Sequence, residues 1–123
     1  MDETDRELWD QAVAVSARAY APYSRFFVGA AVRTGDGRVF LGVNVENAAY
    51  PLGICAEKTA LASAVTAGCK AADLEAIAIT ASPCGGCRQW LHELGLSRVV
   101  YARSNGDVVV ATPAELLPDT FAL

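Results

Sequence analysis

Two short segments of this 123-residue chain combine residue types at a spacing that suggests chemistry: Cys55-Ala56-Glu57 and Pro83-Cys84-Gly85-Gly86-Cys87. Each reads as a loop entering a helix. Thiolates are favoured there, because the helix dipole and the free N–H groups stabilise negative sulfur. Two glycines between Cys84 and Cys87 let the backbone bend around an ion. Zinc is the expected metal, since it takes thiolates in tetrahedral geometry. The fourth cysteine, Cys69, follows Cys55 by 14 residues. One helix between them separates the two by about 20 Å at about 1.5 Å per residue, too far for one ion. His92, the lone histidine, lies mid-helix and reads as a helix-face or hydrogen-bonding residue. Three ligands, Cys55, Cys84 and Cys87, leave a fourth position for water, which is the catalytic rather than the structural pattern. Alone, Glu57 would be a helix-start carboxylate favoured by the dipole. Beside three cysteines it is placed to take a proton from that water and hand it on. A redox C-x-x-C would use two sulfurs and leave Cys55 and Glu57 without a role.

The elements that must position these residues alternate between helical and strand periods. Thr4 with Glu7 makes a capping box for a first helix running to about Tyr20. Leu8, Ala12, Val13 and Tyr20 form its expected buried stripe. Phe26–Arg33 and Val39–Val45 read as strands around a Thr34–Gly37 hairpin. Glu46–Gly53 is a loop, and a helix follows from about Cys55 to Ala67, ended by Gly68. Leu74–Thr80 is a buried strand. A third helix spans about Cys84 to Leu94, with Trp90 in the core. Arg98–Ala102 and Val108–Ala111 flank Asn105-Gly106, which favours a type I′ hairpin. Thr112-Pro113-Ala114-Glu115 starts a short last helix. The order predicts one domain over 1–123, an α/β fold in which helices cover both faces of a mixed five-stranded sheet, a three-layer α/β/α sandwich.

Composition narrows the partner. The net charge is −4 and no Lys/Arg cluster stands out. A nucleic-acid binder usually shows a basic stripe, so a small molecule fits better than a polynucleotide. No run of about 18 apolar residues spans a membrane. The acidic start MDETDRELWD does not match a secretory signal, and a cytoplasmic location is expected.

The pattern C-A-E…P-C-x-x-C corresponds to the signature of zinc nucleobase deaminases. At these residues the chain resembles the small, homotetrameric, zinc-dependent cytidine deaminases of pyrimidine salvage, over nearly its whole length. Tyr20 to Ala30 (YAPYSRFFVGA) is similar to the family's first-strand signature. Asn44 to Tyr50 (NVENAAY) is similar to its ribose-binding loop, and Leu116 to Phe121 to its C-terminal end. The resemblance implies a cytidine deaminase-like fold and hydrolytic deamination of cytidine and 2′-deoxycytidine, or of a modified cytosine nucleoside or nucleoside antibiotic. It implies that Phe26 packs against the base and Ala56 offers it backbone contacts. Asn44 and Glu46 would hydrogen-bond the ribose hydroxyls. Tyr50 and Phe121 would reach sites shared between subunits of a homotetramer. Gln89 would support the zinc site from behind.

Two departures stand out. Family members with three cysteines usually carry Arg after the Glu, and this chain has Lys58. Three thiolates and Zn²⁺ sum to a negative cluster, so Lys58 is expected to neutralise it in part as a point charge rather than a fork. The connection from Ile79 to Pro83 is also several residues shorter than usual.

Overall fold

A computed structural model describes residues 1–123. The chain order is α1 (Glu3–Ser16), β1 (Gly29–Thr34), β2 (Val39–Val43), α2 (Ala56–Thr66), β3 (Leu74–Ile79), α3 (Gly85–Glu93), β4 (Arg98–Ala102), β5 (Val108–Ala111) and α4 (Pro113–Leu116). The strands form one sheet in the order β2-β1-β3-β4-β5. Only β3 and β4 run parallel, joined through α3, and the other neighbours are antiparallel.

Strand alternation divides the core between the two faces. Ala30, Val32, Ile77, Ile79, Val99 and Tyr101 pack with Ala60, Leu61 and Ala64 of α2, Leu91 of α3 and Leu116 of α4. The intervening Ala31, Ala76, Ala78 and Val100 meet Leu8 and Ala12 of α1. The expected three-layer sandwich is therefore present. The α1 face is lined largely by alanines, so this helix lies close to the sheet. A Cβ on Gly29 would stand 2.0 Å from the Ala12 carbonyl oxygen. On the opposite face, a Cβ on Gly42 would stand 2.2 Å from Ala60 N and 2.5 Å from Ala56 O. These two glycines let helix backbones touch strand backbones.

Several boundaries differ from the sequence expectation, each for a local reason. The N-cap of α1 is Asp2, not Thr4. Asp2 Oδ1 accepts from Asp5 N at 2.8 Å and Asp5 Oδ2 accepts from Asp2 N at 3.0 Å. That box closes earlier than Thr4–Glu7 and draws Thr4 into the helix. Helix α1 stops at Ser16 because the chain turns to bring Tyr20 beside β2. Tyr20 N donates to Asn44 O, and Glu46 N donates to Tyr20 O. Val13 and Tyr20 are exposed, and the buried stripe is Asp5, Leu8 and Ala12. Strand β1 begins at Gly29 rather than Phe26, since Arg25 sits in the left-handed region at φ 56°. The Asn105-Gly106 hairpin exists, but Gly106 N donates to Arg103 O and only Gly106 of that pair has positive φ. This is a three-residue loop ending in a left-handed glycine, not type I′.

Buried Asp5 anchors the far end of the sheet. Arg98 Nε donates to Asp5 Oδ1 at 2.8 Å and Nη2 to Oδ2 at 2.5 Å. The Arg98 guanidinium holds the Asp5 carboxyl at about 2, below the usual 3.8. A depressed carboxylate contributes its stability above the ordinary value and loses it as pH falls through the depressed one. Arg98→Met should destabilise the protein at pH 7 by about 2 kcal/mol, less than for a fully buried pair because Arg98 is half exposed. Denaturant titrations should also show a flatter loss of stability for the variant between pH 3.8 and about 2. Gly42→Ala should cost about 3 kcal/mol and lower the melting temperature by roughly 10 °C. Calorimetry checks this, and an unchanged Tm would mean the α2–β2 approach is looser than described.

Candidate metal centre and cleft

Cys55 is the N-cap of α2 and Cys84 the N-cap of α3, both in extended backbone. Neither cap residue makes the side-chain hydrogen bond typical of Ser or Asp, so both sulfurs remain free to face elsewhere. Cys87 lies one turn into α3 and is fully buried. The three sulfurs lie within 4.8 Å of one another. Tetrahedral zinc–sulfur bonds of about 2.3 Å put sulfurs about 3.8 Å apart, so small side-chain rotations close the trio on one ion. The donor set, three thiols and no hard oxygen ligand among them, suits zinc. Cys69 is buried behind Gly68 and stands outside the trio. His92 is engaged with Thr120, whose Oγ1 lies 3.0 Å from Nε2.

Cys55, Cys87 and Glu57 are three acidic groups sharing one space. Hydrogen bonding from Cys87 holds the Cys55 thiol down at about 6, and Cys87, the donor, is pushed far up. Glu57 is only 4% exposed. Burial pushes its carboxyl up, against the opposing influence of its own backbone N–H, Cys87 and the Lys58 charge. Lys58 is half-buried, with Nζ 5.9 Å from the centre of the Trp90 ring. Trp90 is 38% exposed and forms this platform rather than part of the core. The reason is helical spacing: Leu91 takes the inward position of α3 and leaves Trp90 at its flank.

A cleft of about 710 Å³ opens over the trio. Cys55, Ala56, Glu57 and Cys84 form its floor, while Phe26, Asn44, Glu46 and Tyr50 form its wall. Several contacts fix these parts. Val45 and Ile54 exchange backbone hydrogen bonds of 3.0 and 2.9 Å, which sets Cys55 beside the wall. Thr59 Oγ1 donates to Val43 O at 2.8 Å and ties α2 to β2. Asn44 braces the wall, since Oδ1 accepts from Val28 N and Nδ2 donates to Phe26 O, both at 2.8 Å. Glu46 Oε1 accepts from Tyr23 N and Ser24 N at 3.0 and 3.1 Å.

Phe121 and Gln89 sit apart from this cleft. Phe121 is 69% exposed, and its carbonyl accepts from Gln89 Nε2 at 3.5 Å. Gln89 lines a groove between α2 and α3 instead. Arg88, which the sequence reading does not single out, is a structural residue here. Nε donates to Pro83 O and Nη1 to Leu116 O, both at 2.8 Å, bracing the loop that delivers Cys84. Its signal was position alone: one residue past Cys87, it faces back along its own helix. The short Thr80–Pro83 connection places Ala81 and Ser82 on the cleft rim.

A family profile described as the cytidine and deoxycytidylate deaminase zinc-binding region matches residues 2–103. The chain belongs to the cytidine and deoxycytidylate deaminase family. Zinc is the metal of that region, and the sulfur trio is the cluster in this deaminase chain that fits it. The chain is 44% identical to a cytidine deaminase of Halalkalibacterium halodurans, over 95% of this chain and 94% of that protein. It is 40% identical to a cytidine deaminase of Mycobacterium tuberculosis, over 91% and 85%. The crystal structure of cytidine deaminase from Burkholderia pseudomallei superposes with a TM-score of 0.89 at 47% identity, covering 98% of this chain and all of that one. Elemental analysis of the purified deaminase should find one zinc per chain. Cys55→Ser, Cys84→Ser and Cys87→Ser should each lose most of it, and Cys69→Ser should keep it. Zinc retained after loss of Cys87 would show that the trio is not the ligand set.

Proposed function

We propose that the chain hydrolyses cytidine and 2′-deoxycytidine to uridine and 2′-deoxyuridine with release of ammonia. The observation that carries this reading is a buried Glu57 beside a three-sulfur cluster on the floor of an open cleft. The family membership and the cytidine deaminase relatives support it. Cys55, Cys84 and Cys87 would hold the zinc, which would supply Lewis-acid activation of water. Glu57 accepts a proton from the attacking water and delivers it to N3 of the ring. It then helps protonate the departing amino group. Its burial excludes bulk water that would otherwise compete for that proton. Lys58 offsets part of the negative charge of three thiolates and one Zn²⁺.

The cleft wall fits a nucleoside. Phe26 packs against the base, and backbone groups at Ala56 complete its recognition. Asn44 keeps one amide N–H and one lone pair beyond its bracing bonds, and Glu46 keeps free acceptor positions. That pair suits the two ribose hydroxyls. Tyr50 is 90% exposed at the cleft rim. A large aromatic left in water beside a binding cleft is expected to be covered by another subunit. We therefore read the assembly as a homotetramer in which Tyr50 and Phe121 complete neighbouring sites. A three-thiolate site is maintained in reducing surroundings, which supports a cytoplasmic enzyme of pyrimidine salvage.

Glu57→Gln should keep its zinc and lose about a thousandfold in kcat, followed as the fall in cytidine absorbance. Near-normal turnover would remove Glu57 from its role. The same assay across a panel of modified cytosine nucleosides fixes the substrate. Turnover of an analogue without turnover of cytidine would assign the chain to that analogue, with Ala81 and Ser82 on the shortened rim as the first residues to test.

A further inference from the structure

We propose that Ser24 is a positioning residue that locks the base-binding wall to the ribose-binding carboxylate, so that sugar recognition depends on its hydroxyl. Three observations meet at this residue. Its Oγ donates to Glu46 Oε2 in a short hydrogen bond. The same Oγ accepts from Phe26 N at 3.0 Å. Its backbone N donates to Glu46 Oε1 at 3.1 Å. A serine hydroxyl carries one proton and two lone pairs, so donating to a carboxylate while accepting from an amide satisfies it in both directions. The Glu46 carboxyl is correspondingly held below its usual value, chiefly by the Ser24 hydroxyl.

The consequence is geometric. Asn44 already grips Phe26 from the other side, donating to its carbonyl at 2.8 Å. Phe26 thus has its N–H tied to Glu46 through Ser24 and its carbonyl tied to Asn44 directly. Arg25, in the left-handed region at φ 56°, supplies the turn that lets Ser24 fold back under Phe26. Without the hydroxyl, Glu46 Oε1 keeps its two backbone donors, but Oε2 loses its partner. The carboxylate then rotates about its last bond, and the oxygen that should meet a ribose hydroxyl is no longer fixed. Ser24 is itself exposed, so its loss leaves no buried polar group behind and does not threaten folding.

This inference rests on the reading of Glu46 as a ribose ligand, and the experiment separates the two. Steady-state kinetics of the zinc-loaded protein are measured on cytidine and on 2′,3′-dideoxycytidine, which lacks both ring hydroxyls, for Ser24→Ala, Ser24→Thr and Glu46→Ala. The wild-type chain should prefer cytidine. Ser24→Ala should raise KM for cytidine about tenfold, with kcat within about twofold, and leave the dideoxy substrate nearly unaffected. Ser24→Thr, which keeps the hydroxyl, should restore most of the preference. Glu46→Ala should collapse it. An unchanged preference in Ser24→Ala beside a collapsed one in Glu46→Ala would overturn the role of Ser24 alone. Equal loss on both substrates in Ser24→Ala would also overturn it, showing general loosening of the wall. An unchanged preference in Glu46→Ala would overturn the ribose reading and the Ser24 proposal together.

Discussion

Three sulfurs from two separate segments must converge to within 4.8 Å, and that requirement governs where two helices begin. Cys55 and Cys84 occupy the positions immediately before α2 and α3, where the free N–H groups of each helix point outward. Bringing two positive helix ends together is unfavourable unless negative charge lies between them. Thiolates provide it, and a divalent ion then keeps the thiolates from repelling one another. The sheet makes the convergence possible. Helix α2 rests on β2 through Gly42, and α3 leaves β3 through a connection braced by Arg88. A shift in either contact would move one sulfur away from the others.

The same constraint explains the asymmetry of the molecule. The metal face of the sheet carries Val32, Ile77, Ile79 and Val99 against α2 and α3, a core of large side chains. The opposite face is mostly alanine and takes one closely seated helix. Its end is closed by the ion pair of buried Asp5 with half-exposed Arg98 rather than by more apolar volume. Rigid packing below the cleft leaves its wall to be arranged by polar contacts. The chain from Pro22 to Val28 has little regular structure and is held by Asn44 and Glu46. On the proposed reading, substrate recognition and local folding therefore draw on the same side chains.

Much of this was legible in the sequence because it depends on spacing. The cysteine trio and Glu57 were read from the motif pattern, the exclusion of Cys69 from helix geometry, and the layer order from the alternation of periods. What was not legible depended on tertiary contacts. Asp2 displaced Thr4 as the cap because Asp5 serves both the cap and Arg98. Phe26 left the strand because the side chains of Asn44 and Ser24, not a strand neighbour, satisfy its backbone. Trp90 went to the surface because Leu91 already filled the inward position of α3. Arg88 and Ser24 act on groups far away in sequence, and neither residue type announces such a role by itself.

The proposed centre is one zinc ion among Cys55, Cys84 and Cys87 with Glu57 facing the reacting ring. Anomalous diffraction at the zinc edge, from crystals grown with a hydrated-pyrimidine nucleoside analogue, tests it most directly. That arrangement predicts a single zinc peak per chain about 2.3 Å from each of the three sulfurs. It also predicts the Glu57 carboxyl within hydrogen-bonding distance of the analogue's ring N3. A zinc peak elsewhere, or a Glu57 carboxyl turned away from the ring, would contradict it.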